Sequence, residues 1–269
     1  MTFSLTVLGS NAAVPAHNRN LSAHLLNINE RFFLIDCGEG TQFQLRKYHF
    51  SYQRIKHVFI SHLHGDHFFG LIGLLNSMHL LGRKEELHLY APSMLEEILD
   101  IQFQASQTQL IYPLIFHPLR VDQPEIILEE ERVIVHSFPL KHSIPTCGFV
   151  FREKNPPRKV PQARSFAYCS DTGYFEDIIP NIQQVLVLYH EATFMQELAA
   201  AADEKFHSTA IEAATIAKKA NAGKLLLGHF SARYDDLRPL VDEARTVFPE
   251  SYPAEEGITL KIGSKTQIG

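Results

Sequence analysis

Five apolar runs in this chain stop abruptly on His, Asp or Glu: "FLIDCGEGT", "VFISHLHGDH", "FAYCSDTG", "VLVLYHEATF" and "LLLGHFSARY". Each is short, rich in aliphatic and aromatic residues, and bounded by glycine or polar turn residues, which reads as a buried strand. Between and beside them lie runs with apolar residues at helical spacing: "FFGLIGLLNSMHLLG", "SMLEEILDIQFQA" and "HSTAIEAATIAKKA". Strands alternating with helices predict a layered α/β chain. Further strands are expected at "FSLTVLG", "SAHLLNIN", "RVIVHSFPL" and "CGFVF", giving two roughly similar halves. In α/β architectures ligands gather beyond the carboxyl ends of the strands. Five strands delivering ionisable side chains to one rim therefore predict a single polar site.

With 269 residues, 45% of them hydrophobic, the chain can bury one sizeable core. We read residues 1–269 as one domain. No apolar run approaches the roughly twenty residues that cross a bilayer. The start, "MTFSLTVLGS", lacks a basic n-region and a cleavable h-region. Cys37, Cys147 and Cys169 form an odd, sparse set, suited to a reducing compartment and read as small buried residues. The expectation is a cytoplasmic protein. A net charge of −5 argues against indiscriminate nucleic-acid binding but leaves room for a local basic patch.

The densest polar cluster is "SHLHGDH". In an extended segment side chains at i and i+2 face one way, so His62 and His64 are placed to grip one metal together. Gly65 argues against a continuous helix, and beyond it Asp66 and His67 can turn toward a second ion. Imidazole and carboxylate suit zinc, with manganese or iron as alternatives. Surface decoration is the bland reading, and four potential ligands in six residues make it a poor one. A metal pair needs more ligands. His142 in "LKHSIPTCG", Asp171 in "YCSDTG" and His229 in "LGHFSARY" all follow apolar strands. Asp171 is the natural bridging carboxylate.

"SHLHGDH" resembles the HxHxDH signature of the metallo-β-lactamase superfamily, whose fold is a four-layer αβ/βα sandwich. "DCGEGTQ", "HEATF", "HST" and "HFSARY", in that order, resemble the ribonuclease Z family, endonucleases that trim the 3′ trailer from precursor tRNA. The resemblance runs from "VLGSNAAVP" to about Phe248, nearly the whole chain. It implies one metal on His62, His64 and His142, a second on Asp66, His67 and His229, and Asp171 between them. It also implies that Asp66 orients or deprotonates the attacking water and that His207, held by Glu191, protonates the leaving 3′ oxygen. Two Zn2+ per subunit (or Mn2+), a precursor tRNA substrate and a homodimer follow as expectations. His207 also has a plain reading, as a neighbour of a helix N-cap at Ser208 or Thr209.

Two departures from the family pattern stand out. The family's Pro-x-Lys-x-Arg-Asn loop, which handles the tRNA 3′ end, appears here as "PAHNRN": His17 replaces the lysine, while Arg19 and Asn20 match. With Arg233 of "SARY", these are the expected substrate-binding residues. The family's long tRNA-clamping arm shrinks to Arg152–Arg164, "REKNPPRKVPQAR". This stub carries Arg152, Lys154, Arg158, Lys159 and Arg164 against Glu153, read as a solvated loop or a residual phosphate contact. The rival within hydrolases is a small-molecule phosphodiesterase or arylsulfatase-like enzyme on the same metal pair. Lactamase or thioesterase chemistry fits less well, because those sites lack the Glu191–His207 pair. A noncatalytic metal- or RNA-binding module would leave Asp66 dispensable.

Overall fold

In the computed structural model, which describes residues 2–156 and 163–263, the apolar runs pair into two seven-stranded sheets. The first sheet takes β1 (Phe3–Gly9), β2 (Ala23–Ile28), β3 (Arg31–Ile35), β4 (Ile55–Phe59), β5 (Leu87–Ala91) and β6 (Leu114–Pro118). The second takes β7 (Glu125–Glu129), β8 (Val133–Pro139), β9 (Cys147–Glu153), β10 (Ser165–Cys169), β11 (Val187–Glu191), β12 (Lys224–Gly228) and β13 (Ser251–Pro253). A last strand, β14 (Thr259–Lys261), returns to pair with β1.

The two sheets share a plan. β1–β3 and β7–β10 run antiparallel, and each series continues into parallel strands, β3–β6 and β10–β13. Aromatic rings fill the space between the sheets: Phe59 stacks on Tyr90 at 4.7 Å and meets Phe149 edge-on at 5.5 Å. Phe33, Phe151, Phe166, Tyr168 and Tyr189 complete that layer. Outside the first sheet, helices Leu71–Leu80 and Met94–Ala105 bury Leu74, Leu75, Met78, Leu95 and Leu99. Outside the second, helices Ala210–Lys219 and Arg238–Val247 bury Ala213, Ala214, Ala217, Leu240, Val241 and Ala244. Small side chains there let the helices approach the sheet closely. The result is the expected αβ/βα four-layer sandwich.

Several elements carried no usable signal. β6 and β7 lie on sheet edges, half-exposed along their length, so neither alternates cleanly. β13 and β14 have three residues each. Arg238–Val247 is half polar, and its apolar stripe is easily passed over. All three cysteines are free and buried, and burial pushes the Cys37 thiol up to about 12. Among the described residues no helix is long and apolar enough to cross a membrane.

The stub is closed at its base. Buried Glu153 accepts from Arg164 Nε at 2.8 Å, and the two backbones meet through Glu153 N–H to Arg164 O, also 2.8 Å. Arg152 donates to the carbonyls of Asn181 and Gln183, and Lys154 donates to Glu129 at 2.6 Å. These three cations are engaged by the protein, so the described part of the stub is neither a freely solvated loop nor a set of charges left open to phosphate. Arg158 and Lys159 lie outside the described residues.

Candidate active site

Three strand ends turn into the site by the same device. Asp36, Asp171 and His229 follow β3, β10 and β12 with φ of 55°, 59° and 54°. This left-handed backbone is sparsely populated by residues other than glycine, and it re-aims a side chain that would otherwise lie on a sheet face. β4 continues as extended chain through His62 and His64, then one helical turn, Gly65–Phe68, swings Asp66 and His67 round. The motif is therefore half strand extension and half helix, with the break at Gly65. A Cβ at Gly65 would come within 2.2 Å of the Phe69 ring, so any larger residue would push that ring aside.

Seven side chains converge. His62 Nε2 and His142 Nε2 lie 3.5 and 3.7 Å from Asp171 Oδ2, and His142 Nε2 is 3.1 Å from His64 Nδ1. On the other side His67 Nε2 and His229 Nε2 lie 3.1 and 3.2 Å from Asp171 Oδ1, and 3.5 and 3.4 Å from Asp66 Oδ2. The two oxygens of Asp171 thus face two separate donor sets. Donors at about 2.0–2.1 Å from a tetrahedral zinc stand about 3.3 Å apart, and both sets have that spacing.

Four of the five imidazoles are held from behind. His67 Nδ1–H donates to Asp36 Oδ2 at 2.7 Å. His62 Nδ1 reaches Ser61 Oγ at 3.0 Å, and Ser61 Oγ donates to the same Asp36 oxygen at 2.9 Å. His142 Nδ1 donates to Phe206 O at 3.1 Å. His229 Nδ1 meets Thr193 Oγ1 at 3.0 Å, and that hydroxyl donates to Glu191 Oε2 at 2.7 Å.

Burial, and next the charge of His67, push the His62 imidazole down to about 4. Burial works against charge on His67 too, but Asp171, Asp36 and Asp66 outweigh it and hold this ring protonated until a dication replaces the proton. Burial likewise opposes ionisation of Asp171, yet His229, His67 and His62 keep it well below the usual carboxylate range.

Beside the second set, buried Glu191 accepts from His207 Nδ1 at 2.8 Å, Thr172 N at 2.7 Å and Ser208 N at 3.0 Å. Burial would lower the His207 pKa, but the Glu191 carboxylate outweighs it and lifts it to about 9. Thr209 is the N-cap of Ala210–Lys219, in a capping box with Glu212, while Ser208 Oγ donates to Thr172 O. His207 stands outside the cap, so capping does not occupy it.

Ribonuclease Z of Bacteroides thetaiotaomicron is 37% identical over 305 residues, covering 98% of this chain and 96% of that protein. Ribonuclease Z of Cytophaga hutchinsonii is 40% identical over 306 residues, covering 98% of each. The chain belongs to the ribonuclease Z family. Both aligned spans exceed its 269 residues, so these ribonuclease Z relatives carry positions that it lacks. Residues 31–230 match the family described as the beta-lactamase superfamily domain. The human short-form tRNase Z superposes with a TM-score of 0.83 at 32% identity, covering 96% of this chain and 99% of that one. A metallo-β-lactamase fold protein of Bacillus subtilis gives 0.78 at 26% identity, covering 97% and 100%.

This ribonuclease Z fold implies a divalent metal, and the residues fit one. His62 Nε2 and His67 Nε2 are buried without a hydrogen-bond partner, one in each set. An orphaned buried polar atom is costly unless an ion or water meets it. His62, His64, His142 and Asp171 form one group of ligating atoms, Asp66, His67 and His229 a second, and Asp171, His207 and His229 a third that shares members with both.

The substrate residues fare differently in this member of the ribonuclease Z family. Arg233 lines the open cleft of about 660 Å3 above the site. Arg19 and Asn20 do not. Arg19 donates to Asn11 Oδ1 at 2.9 Å and to the carbonyls of Asp235 and Tyr234, while Asn20 donates to Glu256 Oε2 at 2.7 Å. Their polar groups fasten the N-terminal loop to distant chain. His17 joins the same fastening, with Nδ1 3.1 Å from Asp235 Oδ1. Asp36 was not among the expected site residues, although its strand end points to the rim.

Proposed function

We propose that this chain is a zinc-dependent endoribonuclease that removes the 3′ trailer from precursor tRNA, working as a cytoplasmic homodimer with two Zn2+ per subunit. The observation that carries the reading is the Glu191–His207 pair set against the second ligand group. A metallohydrolase that only bound metal would have no use for a proton donor held there.

His62, His64, His142 and Asp171 would hold one dication, and Asp66, His67, His229 and Asp171 the other. Bound there, the two ions supply water activation near neutral pH and charge stabilisation of an in-line displacement. Asp66 is fixed by the Ala13 N–H on Oδ2 at 2.8 Å and is positioned to orient the attacking water and take its proton. As the P–O bond to the ribose breaks, the 3′ oxygen gains a proton from His207, whose other nitrogen Glu191 holds. Glu191 itself stays ionised and keeps the ring in one tautomer.

Freshly purified protein should carry close to two equivalents of metal and cleave a precursor tRNA bearing a 3′ trailer. Chelation should abolish cleavage, and zinc or manganese should restore it. Well under one equivalent, with no rescue by either ion, would sink the metal assignment. A small-molecule phosphodiesterase is the second reading, favoured by the committed cations of the stub. Turnover of a chromogenic phosphodiester without cleavage of precursor tRNA would decide for it.

A second copy of the chain is the expected partner. Leu71–Leu80 buries Leu71, Leu74, Leu75 and Met78 in its own core. What remains outside is Leu80 (74% exposed), Leu81 (64%) and Phe43 (67%), around a groove of about 690 Å3. Such an apolar cluster is the kind of patch that association covers. Light scattering should give a dimer mass, and Leu80→Glu with Leu81→Glu should give a monomer. A monomeric mass for the parent protein would overturn this expectation.

A further inference from the structure

The cleft over the ligand sets has two walls of unlike character. Its first-sheet wall carries Phe69 and Glu39, brought side by side because Gly70 packs on Gly38 and donates to Cys37 O at 2.9 Å. Phe69 is 64% exposed, a full aromatic face standing open at the mouth of the site. Its ring lies directly over Gly65, one residue beyond the ligand His64, so the glycine that breaks the motif also seats the ring.

The second-sheet wall carries Lys205 and Arg233 beside His207. Among the described residues neither cation has a carboxylate partner. Arg233 donates to Ser231 Oγ at 3.0 Å and lies over the Phe194 ring at 4.9 Å, while Lys205 is exposed. In a chain of net charge −5 whose stub cations Arg152, Lys154 and Arg164 are spent on the protein itself, unpaired positive charge facing the site is scarce. Among the described residues that line the cleft it is placed on one wall only.

Resting on the endoribonuclease reading, we propose that the cleft threads single-stranded RNA between these walls, with a nucleobase stacked on Phe69 and an adjoining phosphate on Lys205. An exposed ring offers a sequence-tolerant stacking platform, since every base has a π-face. Phosphate is excluded from the Phe69 side by the Glu39 carboxylate and drawn to the Lys205 side, so the walls orient the strand. The arrangement supplies near the scissile bond the grip that a short arm does not supply at a distance.

The test measures KM for precursor tRNA and the affinity of a single-stranded RNA oligonucleotide for the metal-loaded protein and its Phe69→Ala, Phe69→Tyr and Lys205→Ala variants. Phe69→Ala should raise both KM and the oligonucleotide Kd roughly tenfold, the scale of one lost base–aromatic stack, and Phe69→Tyr should restore them. Lys205→Ala should lower the slope of log Kd against log salt by about 0.7, one single-strand phosphate contact. Cleavage by the parent with KM indifferent to Phe69→Ala would overturn the inference and leave the endoribonuclease reading standing. Oligonucleotide binding that depends on Phe69, without any cleavage of precursor tRNA, would do the reverse.

Discussion

Replacing His207 by alanine is expected to slow cleavage of precursor tRNA by roughly two to four orders of magnitude, the range for a lost general acid, while leaving metal content unchanged. The ring is not needed to build either ligand set, since all seven ligands converge without it. What it contributes is a proton at the leaving oxygen. Glu191 fixes its Nδ1 at 2.8 Å, leaving the other nitrogen for substrate, and the Glu191 carboxylate raises the ring's pKa and so favours the protonated form. The loss should fall on kcat, because a proton delivered only as the P–O bond breaks stabilises the transition state and not the bound substrate. Single-turnover cleavage beside metal analysis is the measurement. A variant that cuts at the parental rate would reduce His207 to a residue that merely precedes a helix.

The ligand constellation was legible because its geometry is local. Two histidines at i and i+2 on a strand extension, then Asp66 and His67 on one helical turn, need no distant information to be placed. The strand ends carrying Asp171 and His229 were legible for a similar reason: an apolar run that stops on an ionisable residue marks a rim. What the pattern withholds is which rim residues face the centre and which stand behind it. That is decided by backbone turns such as the left-handed Asp36, invisible to periodicity. Arg19 and Asn20 show the other limit. Their partners, Tyr234, Asp235 and Glu256, lie more than two hundred residues away, so the fastening they make to the C-terminal part is not visible in the local pattern. The open face of Phe69 is likewise a property of packing, since neighbouring Phe68 is buried.

Asp36→Ala should destabilise the protein by about 3–5 kcal/mol, as removal of one partner from a buried charged network does, and should weaken metal binding. One fully buried carboxylate here accepts four donors: Ser61 N at 2.8 Å on Oδ1, and on Oδ2 Ser61 Oγ at 2.9 Å, Tyr168 Oη at 2.7 Å and His67 Nδ1 at 2.7 Å. Alanine strands all four in a core without room for bulk solvent, each orphan costing about 1–3 kcal/mol before relaxation. Asp36→Asn separates the two consequences. Asparagine tolerates the left-handed backbone and can still accept from the Ser61 amide, so the fold should survive. Its amide nitrogen, however, would face the Tyr168 hydroxyl and His67 Nδ1 with a donor where an acceptor is required. His67 would lose its tautomer and orientation, and His62 its relay through Ser61. Metal affinity should then fall about 10–100-fold, as for other lost carboxylate–histidine supports, with a much smaller change in unfolding free energy than alanine causes. Competition against a chromogenic chelator, alongside denaturant unfolding of both variants, measures the two effects separately. Unaltered metal affinity in Asp36→Asn would mean that packing alone holds His67. The Glu191 carboxylate has the corresponding place in the other half, gripping His207 directly and His229 through Thr193, as Asp36 grips His67 directly and His62 through Ser61. Each sheet therefore lends one buried carboxylate, at the end of a strand, to stiffen the imidazoles that meet at Asp171.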